Sequence, residues 1–298
     1  MTEDEFYSRL FSRLPEPPAD VAIPPSDDCA ALDIGQDNLL LLAVDQLVGD
    51  RHYDTRGAQR AAPEAAGRKL LARNLSDIAA MGGTPRHYLV ALGIPVDADM
   101  AWPEHFMDGI LQLGNAFGLA LIGGDLTRTP HDEVTTLTVT GYVRRAYVAR
   151  RSGAAEGELL YGTGRYGDAL ATGHHLTFTP RCREGQWLAS GGWTQTMMDV
   201  SDGLLLDATR ICRASGVSLA FSAGSVPRPT PNTTLQQALT EGEDYELIFA
   251  VRRKAAGSLE REWPFPDVPL TCLGEFRPQQ ELAVTDENGN RLAGNAVG

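Results

Sequence analysis

Asp199, Ser201 and Asp202 fall within four residues of one another in the stretch MMDVSDGLLLD, Met197 to Asp207. Two carboxylates about 4 Å apart repel by roughly 4 kcal/mol at an effective dielectric near 20, so a folded site holds them with a proton or a cation. An Asp acting as a helix N-cap with Ser beside it is the plainer reading of this segment alone. Four further acids, Asp28, Asp45, Asp77 and Asp125, also sit at an element end or among small residues. Hard oxygen donors without His or Cys clusters suit Mg²⁺ rather than zinc. Magnesium binds through one or two carboxylates plus substrate phosphates, which is how an acidic protein would hold ATP. The chain contains no GxxxxGK[ST], so a P-loop does not match.

The elements that position these acids follow from periodicity. A helix to about Leu14 precedes the loop Pro15 to Ser26, which carries five prolines. Cys29 to Ile34 and Leu39 to Asp45 read as strands joined by Gly35 to Asn38, with Asp27 and Asp28 before the first and Asp45 ending the second. Pro63 to Met81 is a helix stopped by Gly82, Gly83 and Pro85, and Asp77 lies inside it. His87 to Ile94 is a strand and Pro103 to Phe117 a helix. Leu119 to Ile122 is a strand that exits into Gly123, Gly124 and Asp125. Glu133 to Val143 alternates as a half-buried strand. The first half is therefore an α+β layer with helices over a mixed sheet. RRSGAAEG, in the segment Val148 to Gly157, marks the boundary, giving domains 1–148 and 149–298.

In the second half, Glu158 to Tyr161 leads into Gly162, Gly164 and Gly167. This spells GxGxxG, but no prompt helix and acid follow, so a tight or phosphate-facing turn fits better than a dinucleotide fold. His174 and His175 are adjacent, and in an extended segment they point to opposite faces. Structural roles suit them. In MMDVSDGLLLD a short strand gives way at Gly203 to a helix ending at Ser215 and Gly216. Strands follow at Val217 to Phe221 and Tyr245 to Val251, and the last thirty residues alternate strands and turns.

Composition narrows the function. The 298 residues exceed one ordinary core, and 39 acids against 26 bases give a net charge of −13. That excludes a broad basic face for nucleic acid or a membrane surface. No run of eighteen apolar residues exists, and the acidic, amphipathic start MTEDEFYSRLFSRL is unlike a signal peptide, so a cytoplasmic location is expected. Cys29, Cys182, Cys212 and Cys272 show no CxxC pairing and read as small core residues.

Seven segments, SDDCAALD, VDQLVGDRHY, RKLLARNLSDIAAMGGTP, IGGDLTR, RRSGAAEGELLYGTGRYGDA, MMDVSDGLLLDATRICRASGV and EGEDYELIFA, occur in an order that resembles the thiamine-monophosphate kinases. These belong to the ATP-dependent superfamily of aminoimidazole ribonucleotide synthetase. The resemblance spans roughly residues 25 to 275. It implies an N-terminal domain that dimerises through its sheet into a shared barrel, and a C-terminal α/β domain closing over ATP. It further implies Mg²⁺ ligands at Asp28, Asp45, Asp77, Asp125, Asp199 and Asp202, and catalytic roles for Asp202, Asp125 and Arg151. ATP contacts are implied for Arg151, Ser201, Gly123 and Gly124, and acceptor contacts for His52 and Glu243. The implied reaction is direct transfer from ATP to thiamine monophosphate, giving thiamine diphosphate in a homodimer. Departures stand at Ala43 and Val44, where hydroxyl residues are usual, in the short stretch between Gly167 and Met197, and in the ending LAGNAVG, which lacks an aromatic tail. Two other readings stay open on the residues: the same fold acting on a different small acceptor, and a non-catalytic nucleotide-binding dimer.

Overall fold

The computed structural model describes residues 3–57 and 60–292; residues 293–298, most of the LAGNAVG ending, lie outside it. The first half runs α1 (Glu3–Phe11), β1 (Val21–Ile23), β2 (Ala30–Asp33), β3 (Asn38–Val48), α2 (Pro63–Ala80), β4 (Thr84–Pro95), α3 (Ala101–Ala116), β5 (Ala120–Thr129) and β6 (Val134–Arg144). Its strands form one open sheet in the order β1-β2-β3-β6-β4-β5, parallel only between β4 and β5. β3 and β6 pair over eleven residues, and every second side chain, from Leu39, Leu41 and Ala43 to Leu137 and Val139, is buried under the helices. Asp45 shares that parity, so its carboxylate is directed toward the helices.

Helix α2 is the element both halves use. Its Leu70, Leu71, Leu75 and Ile78 are fully buried. Gly67 lets α3 approach so closely that an added Cβ would stand 1.9 Å from the Phe106 carbonyl oxygen, and Gly109 repeats this against Glu64. On its other side a Cβ at Gly185 would meet the Ala79 carbonyl at 2.2 Å.

The second half comprises β7 (Leu159–Thr163), α4 (His174–Thr177), α5 (Cys182–Ser190), β8 (Met197–Asp199), α6 (Leu204–Ser215), β9 (Val217–Phe221), α7 (Leu235–Thr240), β10 (Leu247–Val251), α8 (Ala256–Glu262), β11 (Leu270–Pro278) and β12 (Val284–Asp286). Its sheet has the order β12-β9-β11-β7-β10-β8 and is antiparallel except where β12 joins β9, so helices and strands share layers without a repeating parallel crossover. Leu204, Ala208, Ile211 and Cys212 seat α6 on this sheet, and Gly216 ends it with φ +66°. After β7 the chain turns at Gly164 and Gly167, both with positive φ, and no dinucleotide-type helix opens there.

Several local expectations are corrected. The Pro15 to Ser26 arm contains β1, which pairs with β2. Asp45 lies inside β3, not at its end. β5 continues through Gly123, Gly124 and Asp125, because β4 supplies parallel hydrogen-bond partners as far as Pro95 and Thr129. Gly124 is needed there, since a Cβ would stand 2.3 Å from the Val90 carbonyl. His174 and His175 are helical, in the single turn of α4. All four cysteines are free thiols, and among the described residues no helix is long and apolar enough to cross a membrane.

Candidate active site

Three carboxylates from separate parts of the chain meet. Asp28 precedes β2, Asp77 projects from α2 and Asp199 ends β8, and their oxygens lie within 4.8 Å of one another. Ser76 donates to Asp199 Oδ2 at 2.6 Å, and Arg151 holds Asp28 Oδ1 through Nε and Nη2 at 3.1 and 2.6 Å. The Arg151 backbone N–H also donates to Asp27 at 3.1 Å. Asp28 Oδ2 is buried without a hydrogen-bond partner among the described residues. Burial, then the charge of Asp45, pushes the Asp77 carboxyl well above its usual range, and burial with Asp28 does the same to Asp199. Burial and Asp28 lift Asp27 to about 6. One guanidinium does not neutralise this group, and an orphaned buried oxygen among hard donors fits a small divalent cation.

The turn from β8 to α6 is stacked on a second turn. Glu243 N–H donates to Ser201 O at 2.8 Å, and a Cβ on Gly242 would stand 2.4 Å from that same oxygen. Gly203 adopts φ +117° against Thr240. Asp202 is exposed and accepts from Arg210 Nη1 at 2.5 Å. Its backbone N–H donates to the buried Asp207 Oδ2 at 3.0 Å, and burial lifts the Asp207 carboxyl to about 7. Asp207 thus pins the helix start, a role sequence reading missed although an acid in a first helical turn is the usual signal.

A second polar group adjoins the acids along α2. Lys69, Arg73 and Asp77 stand at i, i+4 and i+8, on one face. Lys69 is fully buried, pairs with Glu243 Oε2 at 2.5 Å, donates to the His52 carbonyl at 2.7 Å and lies 2.9 Å from His175 Nδ1. Arg73 Nη2 pairs with Asp45 Oδ1 at 3.2 Å. His52 Nδ1 accepts from the Val48 N–H at 2.9 Å. Tyr245 donates to Glu243 at 3.3 Å and stacks on Phe178 with centroids 4.1 Å apart. Glu243 and Tyr245 both hold left-handed φ, +70° and +52°, a backbone strain of about 1–3 kcal/mol each that marks a constrained turn. His52 and Glu243 are therefore brought together, through a lysine that sequence reading passed over.

The remaining expected residues lie apart from the acid group. Gly123, Gly124 and Asp125 belong to the outer strand β5, where they line an open hollow of about 370 Å³ with Val90, Leu92 and Met107. None of the three grouped carboxylates lines that hollow, and its walls are mainly apolar, so the chemistry is better placed at the acids. Asp45 and Asp202 fall outside the close group, each engaged by an arginine.

Comparison with known proteins places this geometry. Residues 26–143 match the family described as AIR synthase related protein, N-terminal domain. The thiamine-monophosphate kinase of Escherichia coli O157:H7 is 34% identical over 301 aligned residues, covering 92% of this chain and 90% of that protein. The crystal structure of thiamine-monophosphate kinase from Stenotrophomonas maltophilia K279a superposes with TM-score 0.75 at 29% identity, covering 97% of this chain and 96% of that one. AaThiL complexed with AMPPCP and TMP shares the fold, with TM-score 0.80 at 24% identity over 97% of this chain and 93% of that one. The α+β architecture, the gathered acids and a near full-length relative above 30% identity agree: this chain belongs to the thiamine-monophosphate kinase family.

Proposed function

We propose that the chain transfers the γ-phosphoryl group of ATP to thiamine monophosphate, giving thiamine diphosphate and ADP. The observation that carries this reading is the convergence of Asp28, Asp77 and Asp199 within 4.8 Å around a buried, unpartnered carboxylate oxygen. Such a set holds Mg²⁺, and bound Mg²⁺ supplies charge neutralisation for a polyphosphate. Asp125 and Asp202, which lie outside the close group and are both exposed, are assigned to ions that arrive with the nucleotide.

Arg151 fixes Asp28 and presents a cation to the ATP phosphates. Ser201 offers a hydroxyl on the turn above the acids, and the side-chain-free Gly123 and Gly124 allow close approach of the nucleotide. His52 and Glu243, locked together by Lys69, form the acceptor end. Helix α2 ties the two ends, so the catalytic work of Asp202, Asp125 and Arg151 is alignment and charge compensation. The acceptor oxygen belongs to a phosphate already anionic at neutral pH, so transfer is direct and in line, without a protein base or a covalent intermediate.

Residues 1–148 and 149–298 act as two lobes, the second closing over ATP and acceptor. A second copy is expected to pair along the free edge of β5, where Leu121, Ile122 and Leu126 are exposed, leaving Gly123 to Asp125 open to the nucleotide and completing a barrel in a cytoplasmic homodimer. Steady-state assays with ATP, Mg²⁺ and thiamine monophosphate, thiamine or other small phosphates test the reading. Thiamine diphosphate should form only with thiamine monophosphate and only without EDTA; turnover on another acceptor, or none, would refute it.

A further inference from the structure

Resting on the metal reading above, we propose that Arg73 is a built-in cation at Asp45, so that in this chain Asp45 is a partner of Arg73 and not a metal ligand. Three observations point to it. Asp45 lies on the helix-facing side of β3, directly opposite the charged stripe of α2, and its Oδ1 receives Arg73 Nη2 at 3.2 Å. Both side chains are largely out of solvent, at 16% and 21% exposure, so the pair is not a surface accident. Asp77 and Glu243 also lie within electrostatic reach of Arg73, placing the guanidinium between the acid group and the acceptor end.

A magnesium ion binds a carboxylate oxygen at about 2.1 Å and keeps several waters in an octahedral shell. Nη2 already engages Asp45 Oδ1, and a hydrated divalent ion on that carboxylate would meet a fixed positive charge. Arginine stays protonated under all working conditions, so the substitute cation is permanent and independent of ion supply. The expected consequence is one fewer ion per active site than six carboxylates would suggest.

Counting bound Mn²⁺ by electron paramagnetic resonance on the full-length protein, saturated with a non-hydrolysable ATP analogue, tests this without turnover. Asp45→Asn should leave the count equal to wild type, Arg73→Met should raise it by one per chain, and Arg73→Met combined with Asp45→Asn should lose the added ion. Arg73→Lys should keep the wild-type count. A drop in count for Asp45→Asn in the otherwise native chain overturns the inference, and that arm stands even if Arg73→Met does not fold. An unchanged count in folded Arg73→Met also overturns it. Asp77→Asn serves as the reference: if it too leaves the count unchanged, the metal reading itself fails and the Arg73 assignment falls with it, whereas a drop in both Asp77→Asn and Asp45→Asn refutes the Arg73 assignment alone.

Discussion

Replacing Asp77 by asparagine removes one of three carboxylates whose oxygens lie within 4.8 Å while keeping the shape of the side chain. At that outer separation each fully charged pair repels by roughly 3.5 kcal/mol at an effective dielectric near 20, so the substitution removes about 7 kcal/mol of repulsion before any compensation. Part of this is already relieved, because burial and then the charge of Asp45 push the Asp77 carboxyl well above its usual range. Arg151 compensates Asp28 as well. A net gain of about 1–3 kcal/mol remains, which for a chain of this size raises Tm by about 2–5 °C. In EDTA, then, Asp77→Asn should melt above wild type. At Mg²⁺ a hundredfold above its Kd the wild type gains about 2.7 kcal/mol by mass action, whereas the variant, missing a ligand, gains little, and the order reverses. Differential scanning calorimetry in EDTA and in Mg²⁺, with thiamine diphosphate formation measured alongside, reads both effects. A variant that melts below wild type in EDTA, with the same Mg²⁺ shift as wild type, would refute the reasoning.

Arg151→Ala strands the buried Asp28 carboxylate, so it should cost about 3–5 kcal/mol in urea unfolding and raise the KM for ATP more than that for acceptor. His175 is held to about 4 by burial and by Lys69, below its ordinary 6.5. The unfolded chain therefore binds a proton that the folded chain refuses. Stability should be full above pH 6.5 and fall by up to about 3 kcal/mol as pH drops to 4, a slope that His175→Gln flattens in pH-dependent unfolding. Gly67→Ala forces a methyl to within 1.9 Å of the Phe106 carbonyl, and the α2–α3 contact should lose about 1–3 kcal/mol or more by thermal melting, with the acceptor KM rising as α2 shifts.

The legible parts of the chain were those whose local pattern and tertiary environment agree. The apolar spacing of α2, the alternation of β6 and the Gly203 break before α6 each predicted an element within a few residues of its bounds. Asp28, Asp77 and Asp199 each have a plain reading as a cap or a solvated face, and only the family resemblance grouped them as ligands; the fold brings their oxygens within 4.8 Å of one another. What stayed hidden depends on partners distant in sequence. Gly123 and Gly124 look like a strand stop, yet β4 holds them in the sheet. Lys69 and Arg73 look like a solvated helix face, and only the positions of Glu243 and Asp45 turn that face inward. The histidine pair gave no periodic signal, because α4 is a single turn fixed at its start by Gly173 with φ +72°.

The central claim is direct phosphoryl transfer across a site shared by the two sheets and joined by α2. A rapid-quench single turnover with γ-labelled ATP, Mg²⁺ and thiamine monophosphate tests it most directly. Label should move from ATP into thiamine diphosphate with one rate and never appear on protein. Label retained on the protein, or released as phosphate without thiamine diphosphate, would contradict the account.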